Sequence, residues 1–268
     1  MTGFDYSVPA NMQLLCTLAI KAGINAMRHY EDGVQIQTKA DDSPVTLADQ
    51  EGEVIITQGI QATHPNVQII GEETFNPDQV THLEPVFFLL DPLDGTKEFI
   101  NKKTDFTVNI GLIENTQPVA GVVYAPAKQQ LFFTLSGAAY QIDIAPTKAA
   151  LDDFDIAKAK PITTRKPDAA GLTVVASRSH RTAETDDYLE TIKVKELISA
   201  GSSLKFCLLA AGEADLYPRF GRTMEWDTAA ADAVLRRAGG IVENLDGAPL
   251  TYGKLERGLD NPFFIART

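Results

Sequence analysis

Apolar residues at Leu14, Leu15, Leu18, Ala22, Ala26 and Met27 recur at helical spacing from Asn11 to about Tyr30, and Gly33 stands just beyond as a terminator. The spacing predicts an amphipathic first helix. A short strand is expected over Val34 to Gln37, followed by a turn at Asp41-Asp42-Ser43-Pro44. A second helix should start near Thr46, with Asp49 as its capping partner. Strands are expected over Val67 to Ile70, Val86 to Leu90, the alternating Phe106 to Ile113, Val119 to Tyr124, Leu131 to Leu135 and Ala138 to Ile144. This half reads as sheet covered by helices.

From Ala145 to Asp168 the periodicity weakens, and Pro146, Pro161 and Pro167 interrupt a charged stretch, which marks a lobe boundary near residue 150. Beyond it, strands over Leu172 to Ala176, Ala214 to Tyr217 and Gly240 to Glu243 alternate with helices over Thr182 to Ile192, Ser203 to Ala211 and Asp227 to Ala238. The class expected is α/β, with an α+β lobe over 1–150 and an α/β lobe over 151–268. No internal repeat or low-complexity tract interrupts it.

Composition narrows the chemistry. With 268 residues, 44% of them hydrophobic, the chain can bury a substantial core. Acidic residues outnumber basic ones 36 to 24, a formal charge of −12, which opposes nonspecific attraction to nucleic acid or anionic lipid. An anionic substrate must then meet a locally reversed field, and bound divalent cations are a direct way to supply one. Cys16 and Cys207 are far apart in apolar surroundings and give no disulfide framework, which fits a reduced cytoplasmic setting. No basic segment leads into an apolar one at the start, and no run approaches about 18 apolar residues, so neither export signal nor membrane span is expected. Loose attachment to the cytoplasmic face of an inner membrane is left open by this, as is a monomer or homodimer.

The densest chemistry lies in Val86-Phe87-Phe88-Leu89-Leu90-Asp91-Pro92-Leu93-Asp94-Gly95-Thr96-Lys97-Glu98-Phe99. Asp-Pro or Asp-Gly alone would be ordinary turn chemistry. Here an apolar strand ends in two carboxylates turned together by Pro92, with the Leu93 carbonyl between them as a further hard oxygen ligand, a set that suits magnesium. Gly95-Thr96 follows, offering backbone N–H groups and a hydroxyl to a phosphate lying across the metals. The strand Val67 to Ile70 also ends in acid, at Gly71-Glu72-Glu73. Two glutamates there usually mean a solvated loop, but strands with acids at their ends would bring those acids to one rim, which makes Glu72 a candidate ligand. Asp227, in Met224-Glu225-Trp226-Asp227-Thr228-Ala229, opens an Ala-rich helix, and Asp49 opens another. Each alone would be a cap or a dipole partner. Arg236 and Arg237, near a helix end, are explained by the helix dipole rather than by substrate.

Taken in order, Pro44-Val45-Thr46 with Asp49, Gly71-Glu72-Glu73, Asp91-Pro92-Leu93-Asp94-Gly95-Thr96 and Trp226-Asp227-Thr228-Ala229-Ala230 with Gly239-Gly240 resemble the inositol monophosphatase superfamily over nearly the whole chain. Within it, Lys97-Glu98-Phe99 and the segments Ser177-Arg178-Ser179-His180, Gly201 to Cys207 and Leu216 to Gly221 are most similar to bacterial 3′(2′),5′-bisphosphate nucleotidases of the CysQ type. The resemblance implies a layered α-β-α-β-α sugar-phosphatase sandwich of two lobes and lithium sensitivity. It also implies hydrolysis of 3′-phosphoadenosine 5′-phosphate to AMP and phosphate, with the 5′-phosphosulfate form as a second substrate, in sulfate assimilation. By motif position, Glu72, Asp91, the Leu93 carbonyl, Asp94 and Asp227 would hold two or three magnesium ions (Mg2+). Asp49 and Thr96 would position and deprotonate the attacking water. Glu72, Leu93, Asp94, Gly95, Thr96 and Asp227 would meet the scissile phosphate, and Ser177, His180, Gly201 and Lys205 of the second lobe would hold the nucleotide. An isolated His or a helical Lys is more often a surface residue, so His180 and Lys205 rest on the resemblance. An inositol or sugar phosphatase is the alternative within the same chemistry, and a nucleotide-binding regulator without turnover is the alternative outside it.

Overall fold

The computed structural model describes residues 4–33, 36–38, 44–177 and 182–268. Helix α1 (Pro9–Asp32) starts with Pro9 in its first turn, where the missing N–H costs nothing, and stops at Gly33, whose φ is 105°. Strands β1 (Ile36–Thr38) and β2 (Pro44–Thr46) pair antiparallel, and α2 (Leu47–Gln61) follows directly. Val34 and the predicted turn residues Asp41, Asp42 and Ser43 lie outside the described residues.

The first sheet holds β3 (Gln68–Gly71), β4 (Val86–Asp94), β5 (Thr107–Glu114), β6 (Gln117–Ala125), β7 (Gln130–Leu135), β8 (Ala138–Asp143) and β9 (Lys160–Ile162), side by side in chain order. Only β3 and β4 run parallel. Short helix α3 (Thr96–Ile100) follows β4, and α4 (Lys148–Asp152) precedes β9. Pro161 is tolerated because β9 lies at the sheet edge. The second sheet holds β10 (Leu172–Ser177), β11 (Val194–Ala200), β12 (Leu216–Arg219), β13 (Ile241–Asn244) and β14 (Phe264–Arg267), in the order β11-β10-β12-β14-β13. Its helices are α5 (Ala183–Glu190), α6 (Leu204–Ala210) and α7 (Ala229–Arg237).

Side-chain alternation explains why β4 is apolar throughout. Phe88 and Leu90 face a core shared with Leu15 and Ile20 of α1 and Ile56 of α2. Phe87 and Leu89 face the opposite core, shared with Phe206 and Leu209 of α6, Val234 and Leu235 of α7, and Phe264 of the second sheet. Helix α5 packs by Tyr188 against Phe220, just past the end of β12. The layers run α-β-α-β-α. The central layer sits close, because Gly121 and Gly111 present bare backbone to α7: a Cβ on Gly121 would lie 2.0 Å from the Ala230 carbonyl oxygen.

Arg236 does more than face a helix dipole. It forms a two-pronged ion pair with the buried Asp232 one turn earlier, at 2.6 and 2.9 Å, and donates to Gln117 of β6 at 2.9 Å. It ties α7 to the first sheet because a buried carboxylate needs a fixed cation. Among the described residues, no helix is long and apolar enough to cross a membrane. Both cysteines are buried free thiols.

Candidate active site

The acids converge because parallel neighbours end together. Gly71 is in register with Leu90, and the Glu72 N–H donates to the Leu90 carbonyl at 3.0 Å, which sets Glu72 beside Asp91. Asp227 arrives from the second sheet's side, just ahead of α7, with one oxygen accepting the Met224 N–H at 2.8 Å. Carboxylate oxygens of Glu72, Asp91 and Asp227 all lie within 4.8 Å of one another. Burial, followed by the charges of Glu72, Asp94 and Asp227, pushes Asp91 well above the usual carboxylate range. Burial, followed by Asp94 and Glu72, does the same to Asp227.

Three converging carboxylates are hard oxygen donors whose mutual repulsion a divalent cation offsets. The floor of the site agrees. Asn109, paired with Asp91 across β4 and β5, is fully buried, and neither its amide nitrogen nor its oxygen has a hydrogen-bond partner. A buried orphaned amide is costly in a dry apolar core and fits a polar site that takes up an ion with its hydration. The residues present therefore suit a hard divalent metal.

Between Asp91 and Asp94 the pairing with β5 slips, so Pro92 and Leu93 bulge and the second carboxylate swings toward the second sheet. Asp94 accepts from Ser202 Oγ at 2.7 Å and from the Ser203 N–H at 2.8 Å. Gly95 turns at φ 95°, and a Cβ there would lie 2.9 Å from the Asp105 carbonyl oxygen, so glycine is required twice over. Thr96 then opens α3. Its hydroxyl is 3.2 Å from Asp49 Oδ1 and 3.3 Å from the Leu93 carbonyl. The other oxygen of Asp49 accepts the Thr46 N–H at 2.7 Å and the Thr46 hydroxyl at 2.5 Å. The capping box thus fixes Asp49 with one oxygen toward Thr96.

Glu72, Asp94, Gly95, Thr96 and Asp227 line a cavity of about 940 Å³. Ser177, Gly201 and Lys205 line the same cavity. His180 lies outside the described residues. Burial, followed by the nearby Arg219, draws Lys205 down to about 8, against the pull of Asp94, Glu98 and Asp227. Its ammonium lies 5.2 Å from the Tyr217 ring centroid.

Arg219 also lines the cavity, with its guanidinium held by the Gly221 and Arg222 carbonyls at 3.2 and 2.8 Å. Phe75 and Trp226 pack edge to face at 5.5 Å as an aromatic wall. Sequence reasoning did not single out Phe75, nor Glu53, which sits under the acid rim and accepts the Glu73 N–H at 2.8 Å. Glu53 had one sequence signal: it follows Asp49 by four residues on one helix face, where like charges repel unless each has a fixed partner.

A family model described as the inositol monophosphatase family matches residues 11–262. The 3′(2′),5′-bisphosphate nucleotidase CysQ of Escherichia coli (strain K12) is 40% identical over 255 residues, covering 94% of this chain and 98% of that protein. The crystal structure of CysQ from Bacteroides thetaiotaomicron, 37% identical, superposes with a TM-score of 0.80 over 97% of both chains. The extragenic suppressor protein suhB from Bartonella henselae, 24% identical with a TM-score of 0.74, shares the fold. Sequence, fold and an acidic cluster suited to a divalent ion agree, and the chain belongs to the inositol monophosphatase family of metal-dependent enzymes.

Proposed function

We propose that this chain is a magnesium-dependent 3′(2′),5′-bisphosphate nucleotidase that hydrolyses 3′-phosphoadenosine 5′-phosphate to AMP and phosphate. The observation that carries the reading is a single cavity that combines an acid cluster with two basic side chains. Acids that call for metal ions and the cationic side chains of Lys205 and Arg219 line it together, a lining suited to a small molecule with more than one anionic group. The name of the relative from E. coli, a 3′(2′),5′-bisphosphate nucleotidase, supports a substrate of this class.

In this reading Glu72, Asp91, the Leu93 carbonyl, Asp94 and Asp227 hold two or three magnesium ions, and Gly95 and Thr96 receive the scissile phosphate. Bound there, magnesium supplies Lewis-acid polarisation of the phosphoryl oxygens and a lowered pKa for the attacking water. Thr96 takes the water's proton on its hydroxyl oxygen as it passes its own to Asp49 Oδ1, 3.2 Å away. Thr46 holds the opposite oxygen of Asp49, and Oδ1 is the one that faces Thr96. Ser177, His180, Gly201 and Lys205 hold the nucleotide, and Lys205 and Arg219 offset the phosphate that is not cleaved.

Phosphate release from a substrate panel tests this. With magnesium, 3′-phosphoadenosine 5′-phosphate should turn over fastest, the 5′-phosphosulfate form comparably, and inositol 1-phosphate slowly. Chelation should stop all three. A preference for inositol 1-phosphate would reject the nucleotide while keeping the phosphatase, and undiminished release in chelator would reject the metal.

A further inference from the structure

The loop joining β11 to α6 reaches from the second sheet to the end of β4. Gly201 donates its N–H to Asp105 Oδ2 at 3.1 Å, and a Cβ on Gly201 would lie 2.8 Å from the Asp105 carbonyl oxygen. Ser202 follows with a φ of 54°, a left-handed conformation that residues bearing a Cβ seldom adopt. Its hydroxyl is 2.7 Å from Asp94 Oδ2 and is also hydrogen-bonded to Thr107 Oγ1. The Ser203 N–H reaches the same Asp94 oxygen at 2.8 Å. Thr107 is fully buried and is the partner of Asp94 across β4 and β5.

Counting protons gives this chain a direction. An ionised carboxylate only accepts, so Ser202 gives its single proton to Asp94, and Thr107 gives its own to Ser202. Both donors to Asp94 use Oδ2. Among the described residues no protein hydrogen-bond donor meets Oδ1. Glycine would take this backbone conformation more readily than serine. A serine here is therefore accounted for by its hydroxyl rather than by its backbone.

We infer that Ser202 is a positioning residue for the metal site: its hydroxyl, held by Thr107, fixes the rotation of the Asp94 carboxylate so that one oxygen stays aimed at the ion. This rests on the reading of Asp94 as a ligand. Hydrogen-bond partners that orient metal-ligating carboxylates typically account for about 10- to 100-fold in metal affinity.

Calorimetric titration of Mg2+ into substrate-free protein tests the inference, with melting curves checking that each variant folds. Ser202→Gly and Ser202→Ala should each bind magnesium about tenfold more weakly than the parent. Ser202→Gly decides the matter, because a purely conformational role predicts that glycine binds as well as serine or better, and that result would overturn the inference. Asp94→Asn separates the two levels. If it leaves magnesium affinity unchanged, the ligand reading falls and the role of Ser202 with it. If it abolishes binding while Ser202→Gly binds normally, only the role of Ser202 falls.

Discussion

Asp91 and Asp227 are buried beside Glu72 and Asp94, and both are held well above the usual carboxylate range by burial and by those charges. With the folded pKa above the unfolded one, the metal-free protein binds extra protons between them. Stability from these groups is therefore full below about pH 4 and is lost as pH rises through the folded value. Asp91→Asn should accordingly raise the melting temperature of the metal-free protein at pH 8, by about 2–4 °C for each kcal/mol relieved. The same substitution should cut turnover about 10²- to 10³-fold, the scale of several kcal/mol of lost charge stabilisation. Melting curves in chelator, set beside phosphate-release assays, check both directions at once. Lys205 has the opposite sign. Burial draws it from 10.5 to about 8, so its cation is present below pH 8 and fades above. KM for the nucleotide should climb above pH 8 with kcat little changed, and Lys205→Arg, always charged, should flatten that rise. A pH series of initial rates for both proteins measures it.

Helix α7 shows how one element serves both packing and site. Asp227 stands immediately before it, and its Ala229–Ala230 edge rests on the bare backbone of Gly111 and Gly121. A methyl group at 121 would sit 2.0 Å from the Ala230 carbonyl oxygen, so the helix must move away from the sheet. Gly121→Ala should cost about 1–3 kcal/mol in urea unfolding and raise the magnesium concentration needed for half-maximal activity, because Asp227 travels with the helix. The sequence made α7 legible through its alanines and the strand ends legible through apolar runs that stop in acid. It hid β11, whose Val194 and Leu197 are exposed and whose Lys195 and Glu196 mimic a polar loop. It hid β9 because Pro161 and weak periodicity argue against a strand, and only an edge position admits one. The acids proposed as metal ligands could be picked out from motifs because each stands at an end of a recognisable element. Asp105 and Ser202 could not, since their roles arise from contacts between distant segments that no local pattern encodes.

At the scale of the whole molecule, the two sheets share one apolar core around α6 and α7, and the acidic cluster is assembled from both sides of it. Glu72 and Asp91 end strands of the first sheet, while Asp227 and the Ser202–Ser203 loop belong to the second sheet's segments. A cation held by these residues would therefore link the layers and would stabilise only the conformation in which they are packed together. At a magnesium concentration of 100 times Kd the linkage amounts to about 2.7 kcal/mol. Because protons compete for the same raised carboxylates, the gain should be larger at pH 8 than at pH 5. The single tryptophan of the chain, Trp226, adjoins Asp227 and reports on the site, whereas far-ultraviolet circular dichroism reports on all layers. Urea transitions followed by the two signals should superimpose, and magnesium should shift both to higher urea by the same amount, reversibly on chelation. A Trp226 transition that precedes the loss of ellipticity and alone responds to magnesium would show instead that the ion stabilises only the rim of the site, and that the shared core does not couple the sheets.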